Sequence, residues 1–328
     1  MTKSRQHQDP INVGVVGVGS MGRHHARVYS ELPGARLVGL ADVDEGRVRN
    51  VAEEFGTRPM SQATLMAAVD AVSVAVPTRA HARTVRAAFD AGTHVLVEKP
   101  FVDDVETGRA IADRARAEGL TLQVGHIERF NPATEVLADV ATDLDVVGID
   151  VQRLGPPLDR ENEDTVVKDL MIHDVDILRL LVDADITSLA AVARNDQHVT
   201  AQFGFADESV ATVTASRLTQ EKVRQLSLTA QSCRVNVDFI DQSVEIHRRS
   251  LPEYVETNGD VRYRHESVVE RPRVTNGEPL KAELSAFLEA VREGTTPQVT
   301  AEDALAVLEI LEEIEAKALG VDRRVTTA

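Results

Sequence analysis

The sequence predicts a two-domain α/β protein: an N-terminal doubly wound parallel sheet, then a C-terminal α/β domain with a large, mainly antiparallel open sheet. Three observations carry this. Up to about residue 125, short apolar runs alternate with helical patterns, as in parallel sheets with crossover helices. From Ile186 onward, alternating runs follow one another without helices between them, as antiparallel strands do. A chain of 328 residues has the length of about two domains. The boundary falls at the end of the last parallel strand, giving domains 1–126 and 127–328.

Strands are expected at Ile11–Val16, Ala35–Ala41, Ala71–Val76, Thr93–Val97 and Leu120–Val124, with a weaker sixth near Arg58. Helical patterns lie between them at Met21–Glu31, Glu45–Phe55, Arg79–Ala91 and Val105–Glu118. Gly56, Gly92 and Gly119 follow three of these helices, where a residue able to take positive φ ends a helix. In the second half, Asn131-Pro132 reads as an N-cap and first helical residue, opening a short helix to about Asp139. A strand at Val146–Leu154, a Pro156-Pro157 loop and a helix over Val166–Leu181 follow, the last with Thr165 as N-cap. Six alternating runs come next: Ile186–Arg194, Val199–Phe205, Val210–Ser216, Val223–Ala230, Cys233–Phe239 and Ser243–Arg248. Amphipathic helices at Leu280–Arg292 and Ala301–Leu319 close the chain.

Composition removes several function classes. The 36 Lys+Arg stand against 53 Asp+Glu, a formal net charge of −17, which repels nucleic acid and anionic membranes. The lone Cys233 excludes a disulfide framework and any multi-cysteine metal site. No apolar run reaches the roughly 18 residues of a membrane span, and Met1–Pro10 is polar, so a soluble, cytoplasmic protein is expected. Only six of the basic residues are Lys, a bias that fits a salt-rich cytoplasm and a GC-rich genome equally.

The run Val13-Gly-Val-Val-Gly17-Val-Gly19-Ser-Met-Gly22 is a GxGxxG at a strand end, opening a helix. Gly17 permits the tight turn, Gly19 lets the backbone approach a pyrophosphate, and Gly22 allows close helix–strand packing. The helix N-terminus at Ser20 and Met21 offers free N–H groups and positive dipole to phosphates. Asp42 closes the second strand twenty residues after Gly22, where a ribose-binding carboxylate belongs. The whole is a dinucleotide-binding, Rossmann-type unit. Asp42 accepts ribose hydroxyls and repels a 2′-phosphate, which favours NAD over NADP. Arg47 could neutralise such a phosphate, but reads as a solvated helix residue.

Further along come Val76-Pro77-Thr78 with His81, Glu98-Lys99-Pro100, Gly125-His-Ile-Glu-Arg129-Phe-Asn131-Pro132 and Asp169-Leu-Met-Ile-His173. In this order and spacing the set resembles the Gfo/Idh/MocA family of sugar dehydrogenases across essentially the whole chain. The resemblance implies a Rossmann domain and a substrate-binding domain whose open sheet forms a homodimer or homotetramer. It implies cofactor contacts from Gly17, Gly19, Ser20, Met21, Gly22, Asp42, Pro77, Thr78, His81, Glu98 and Lys99, and a cis Lys99-Pro100 bond. Within the family, Gly125–Pro132, Asp169–Asp176, Val235–Asp238 and Glu278–Glu283 look most like the UDP-N-acetylglucosamine 3-dehydrogenase branch. That branch implies NAD-dependent oxidation of a sugar-nucleotide 3-hydroxyl and a downstream aminotransferase. The alternatives are another sugar or inositol dehydrogenase of the family, or a non-catalytic NAD-binding sensor.

Oxidising a secondary alcohol needs a hydride acceptor at carbon and a base for the hydroxyl proton. By the resemblance, Lys99, Asp169 and His173 form the catalytic group, with His173 as base and Lys99 polarising the reacting oxygen. Asp169 and His173, four apart on a helix, share a face. Histidine's ordinary pKa near 6.5 suits proton uptake near neutrality. Asp169 could orient the imidazole or bind a substrate hydroxyl itself. Lys99 sits at the carboxyl edge of the parallel sheet, where ligands bind. Arg129, Asn131 and Arg153 are candidates for substrate contact, the arginines because their planar fork suits a diphosphate. All three could equally be structural, Asn131 as a helix cap. No metal site is expected: His24 and His25 point about 100° apart on a helix, and hydride transfer to NAD needs no ion.

Overall fold

The computed structural model describes residues 9–157, 164–249, 253–257, 260–264 and 266–320, which cluster into two units. The first comprises residues up to Phe130 together with Glu278–Glu309, and the second comprises Asn131–Gly277 and the chain from Ile310 onward.

In the first unit, β1 (Ile11–Val16), β2 (Ala35–Ala41), β3 (Ala71–Val74), β4 (His94–Glu98) and β5 (Leu122–Gly125) form a parallel sheet in the order β2-β1-β3-β4-β5. The inner strands β1, β3 and β4 are Val-rich and largely buried on both faces, as a sheet sandwiched between helices requires. Helices α1 (Ser20–Glu31), α2 (Glu45–Glu54), α3 (Gln62–Met66), α4 (His81–Asp90) and α5 (Val105–Glu118) supply the crossovers. The caps follow sequence rules: Asp44 accepts from Arg47 N, Ser61 from Thr64 N and Asp104 from Thr107 N, while Gly119 ends α5 in the left-handed conformation. The sixth strand expected near Arg58 reduces to one parallel bridge, Leu40 to Pro59, because proline lacks the N–H to extend a ladder.

One expectation is corrected here. The closing helices were placed with the second domain, but α8 (Pro279–Glu293) and the first half of α9 (Ala301–Leu319) fold with the first unit. Leu280, Leu284, Phe287 and Leu288 of α8 join Val28, Tyr29 and Leu96 in the core on one side of the sheet. Ala301, Ala304, Leu305 and Leu308 of α9 join Val97, Ile111 and Val124 on the other. Each fully buried aliphatic or aromatic side chain contributes about 1.5–3 kcal/mol, so these helices complete the unit's core.

The second unit holds α6 (Pro132–Ala141), β6 (Val146–Leu154), α7 (Ile172–Leu181), β7 (Ile186–Arg194), β8 (His198–Phe205), β9 (Val210–Ser216), β10 (Val223–Ala230), β11 (Cys233–Asp238), β12 (Ser243–Arg249), a hairpin of β13 (Glu253–Thr257) and β14 (Asp260–Arg264), and β15 (Ser267–Glu270). Eight strands form one sheet in the order β15-β12-β11-β10-β6-β9-β8-β7, antiparallel except for the β6–β9 pair. Alternate residues such as Ile149, Val151, Val213, Ala215, Leu226 and Val235 are buried, the period of two expected of a sheet covered on one face. Immediately before α7, Val167–Met171 forms a π-helical turn. Thr165 opens it, its Oγ1 accepting from Lys168 N at 3.3 Å.

Candidate active site

In the first unit, the turn after β1 is closed by Gly17 N donating to Ala41 O at 2.8 Å. Gly17 has φ +86°, and a Cβ there would lie 2.5 Å from Ala75 O; a Cβ on Gly22 would overlap Gly17 O. Both positions therefore demand glycine for the protein's own packing. Gly19 differs: a Cβ would meet no protein atom within 4 Å, so the space beside it is open to a ligand. Helix α1 begins at Gly19 with no side-chain cap and no acidic residue in its first turn. Its orphan N–H groups are thus left for an anion, with Ser20 and Met21 exposed beside them. Asp42, its side chain only 5% exposed, accepts from Val18 N at 2.7 Å and Asp44 N at 2.9 Å. It pins the glycine loop, and each oxygen keeps a further lone pair for a ribose hydroxyl. Arg47, half exposed, reaches Asp42 at 3.6 Å and Asp44 at 3.2 Å. The cradle fits a dinucleotide.

Lys99 follows the last residue of β4, half-buried, with a cis bond to Pro100. Its loop is braced from within. The His81 ring, 1% exposed, lies between the carbonyl oxygens of Val76 (Nε2, 2.8 Å) and Pro100 (Nδ1, 2.9 Å). His81, expected as a cofactor contact, thus ties the Pro77-Thr78 turn to the Lys99 loop. Glu98 is 8% exposed, and its Oε1 pairs with His25 Nε2 at 2.8 Å. Burial pushes the Glu98 carboxyl up, but the hydrogen bond from His25 and the charges of His25, Lys99 and His81 outweigh it, and the net shift is downward. Arg129, on the turn Ile127–Phe130, is mostly buried with Asp303 Oδ1 at 3.9 Å.

In the second unit, Asp169 lies in the π turn and His173 at the start of α7, both partly exposed. Arg217, which follows β9, donates through Nη2 to Asp169 Oδ2 at 2.6 Å, and its Nη1 donates to Asp164 O at 3.1 Å. The Arg217 side chain is 4% exposed and that of Asp169 25%, making this a part-buried, charge-assisted bond. Arg217 was missed by sequence reasoning: a single arginine after a strand carries no local signal. Arg153, expected as a substrate contact, is 3% exposed and donates through Nε to Asp174 Oδ1 at 2.8 Å, Asp174 itself being wholly buried. Alternation along β6 points it inward with Ile149 and Val151, and an inward guanidinium needs a partner. Asn131 takes the structural alternative too: Oδ1 accepts from Ala133 N at 3.1 Å, capping α6, and Nδ2 donates to Phe239 O at 3.0 Å.

Comparison with known proteins bears on the chemistry. Residues 11–126 match the Gfo/Idh/MocA family described as an oxidoreductase family with an NAD-binding Rossmann fold. The chain is 33% identical over 287 residues to UDP-N-acetylglucosamine 3-dehydrogenase of Acidithiobacillus ferrooxidans, covering 86% of this chain and 88% of that protein. A solved structure of that enzyme superposes with a TM-score of 0.86 at 30% identity, covering 97% of this chain and all of the other. The scyllo-inositol 2-dehydrogenase (NAD(+)) of Bacillus subtilis is 27% identical over 322 residues, covering 93% and 92%.

Proposed function

Since the chain belongs to the Gfo/Idh/MocA family of NAD-binding oxidoreductases, we propose that it oxidises the 3-hydroxyl of a UDP-linked N-acetylamino sugar, UDP-N-acetylglucosamine or its 6-carboxylate. The observation that carries this reading is the similarity to a UDP-N-acetylglucosamine 3-dehydrogenase, which extends over 86% of the chain and so over more than the cofactor-binding unit. When bound, NAD supplies the hydride acceptor. The glycine turn and the open N-terminus of α1 hold its pyrophosphate, and Asp42 its adenosine ribose. Lys99 donates a hydrogen bond to the reacting oxygen and stabilises alkoxide character as the hydroxyl proton leaves. His173 takes that proton. Asp169, committed through Oδ2 to the Arg217 cation, is an acceptor that holds a substrate hydroxyl in place.

The test is incubation with NAD and, separately, UDP-N-acetylglucosamine, its 6-carboxylate, scyllo-inositol, myo-inositol and glucose, with a carbonyl trap and mass spectrometry. A sugar nucleotide lighter by two hydrogens is expected. NADH formed from an inositol or free sugar, with none from a UDP-sugar, would replace this reading with the alternative the inositol dehydrogenase relative supports. Silence with every substrate despite NAD binding would leave a sensor. The same reading includes a homo-oligomer and an aminotransferase that consumes the ketone. NAD is also expected to bind more tightly than NADP, because a 2′-phosphate would meet the Asp42 carboxylate; superimposable titration curves would remove Asp42 from the ribose site.

A further inference from the structure

A second acid lies near Glu98 in the first unit, and the proposed chemistry does not use it. Glu283, on α8, is wholly buried, and neither of its carboxyl oxygens has a hydrogen-bond partner among the described residues. An ionised carboxylate so placed would cost several kcal/mol. Burial first, and the Glu98 charge second, push the Glu283 carboxyl well above the ordinary range. The setting explains the geometry. Leu96 pairs with Gln123 and Glu98 with Gly125 across β4 and β5, so their side chains share one face of the sheet, the face covered by α1 and α8. Gln123 Nε2 reaches Glu283 O at 3.4 Å. A Cβ on Gly125 would lie 3.3 Å from the Glu98 backbone and carboxyl, a tight contact. His25 Nδ1 and Gln123 Oε1 are likewise without hydrogen-bond partners among the described residues. The ionisable groups on the packed elements include His25 and Tyr29 from α1, Glu98 from β4, and His126, Glu128 and Arg129 at the turn after β5. Among them, Glu98 is the one whose charge acts on Glu283.

Resting on the reading of Lys99 as the group that polarises the alcohol, we propose that Glu283 is a positioning residue: a neutral buried acid that turns its proton toward the Glu98 carboxylate, so that of these two acids Glu98 alone is ionised, paired with His25 behind Lys99. Two buried carboxyls held in opposite protonation states are the arrangement that environment imposes when both cannot ionise. Glu98 keeps slight exposure while Glu283 has none, so the charge resides on the residue adjoining Lys99.

Two measurements on the full-length protein without substrate test the proton. Infrared spectroscopy above pH 7 should show a protonated carboxylic acid C=O band that vanishes in Glu283→Gln and changes frequency in Glu98→Gln. A missing band, or one that Glu98→Gln leaves unmoved, overturns the proposal. Thermal melts give the second readout. Below the ordinary carboxyl pKa of about 4.3 both folded and unfolded chains carry the proton; above it only the unfolded chain ionises, so stability falls as pH rises toward the raised folded value. Glu283→Gln removes that loss, and its Tm should exceed wild type increasingly between pH 5 and 8, by roughly 2–4 °C or more at the upper end. Parallel curves overturn the assignment. Kinetics test the link to Lys99: Glu283→Gln, which keeps volume and a donor, should hold kcat within about threefold, while Glu283→Leu loses tenfold or more with KM unchanged. Wild-type kcat in Glu283→Leu refutes the positioning role. The spectra and melts need no substrate, so they decide the proton even if the substrate reading fails.

Discussion

Turnover of the His173→Ala variant is expected to fall by about 10²–10⁴-fold, with NAD binding close to wild type. The imidazole is the proposed proton acceptor, and in its absence the hydroxyl proton must leave to water. His173 lies at the start of α7, in the unit that does not carry the glycine loop, so cofactor affinity has no reason to change. Lys99→Ala should cost a similar factor through a different term, the lost stabilisation of alkoxide charge. The two variants are separable by pH. Without the imidazole, the acid limb of the kcat profile should disappear and activity should recover toward high pH as hydroxide replaces the base. Without the ammonium, the acid limb should persist at reduced height. A His173→Ala enzyme with wild-type turnover across pH 6–9 would remove the base assignment and return the proton to Lys99 or Asp169.

Asp174→Ala is expected to destabilise the protein by about 3–5 kcal/mol, because it removes a carboxylate to which the buried Arg153 guanidinium donates. The double replacement Arg153→Met with Asp174→Leu should lose less than the single variant, since it removes both members of this charge pair. Denaturant unfolding of the single and double variants measures this directly. The same pair decides the role of Arg153. If it is a structural partner only, the double variant keeps its KM for the sugar nucleotide. A large rise in KM with stability restored would return Arg153 to the substrate site.

The first unit was legible because its signals are local. Apolar runs, glycines at helix ends and the GxGxxG spacing each act within a few residues, so β1 and the residues that open α1 could be placed from the sequence alone. Asn131 as a cap was legible for the same reason. What the sequence concealed depends on partners distant along the chain. An amphipathic helix states that it covers an apolar surface but not which one, and α8 was assigned to the wrong unit on that account. Inward-facing charges are ambiguous in the same way: Arg153 looks like a ligand group until Asp174, 21 residues away, is seen beside it. Arg217 and Asp169 are 48 residues apart. The strands β13 and β15 were missed because Glu253–Thr257 and Ser267–Glu270 lack the apolar alternation of a half-buried strand, and β14 because the alternation in Asp260–Arg264 rests on two apolar residues alone, Val261 and Tyr263.

The wide turn at Val167–Met171 also constrains how this chain can be evolved in the laboratory. Such a turn amounts to one extra residue in an otherwise regular helix. Deleting Leu170 would return the segment to ordinary pitch. It would also rotate Asp169 by about 100° relative to His173, carrying the carboxylate away from Arg217. One codon therefore decides whether that carboxylate keeps its cation. A deletion scan along this segment, read by turnover and by solubility separately, should find position 170 intolerant in the first readout whatever the second shows.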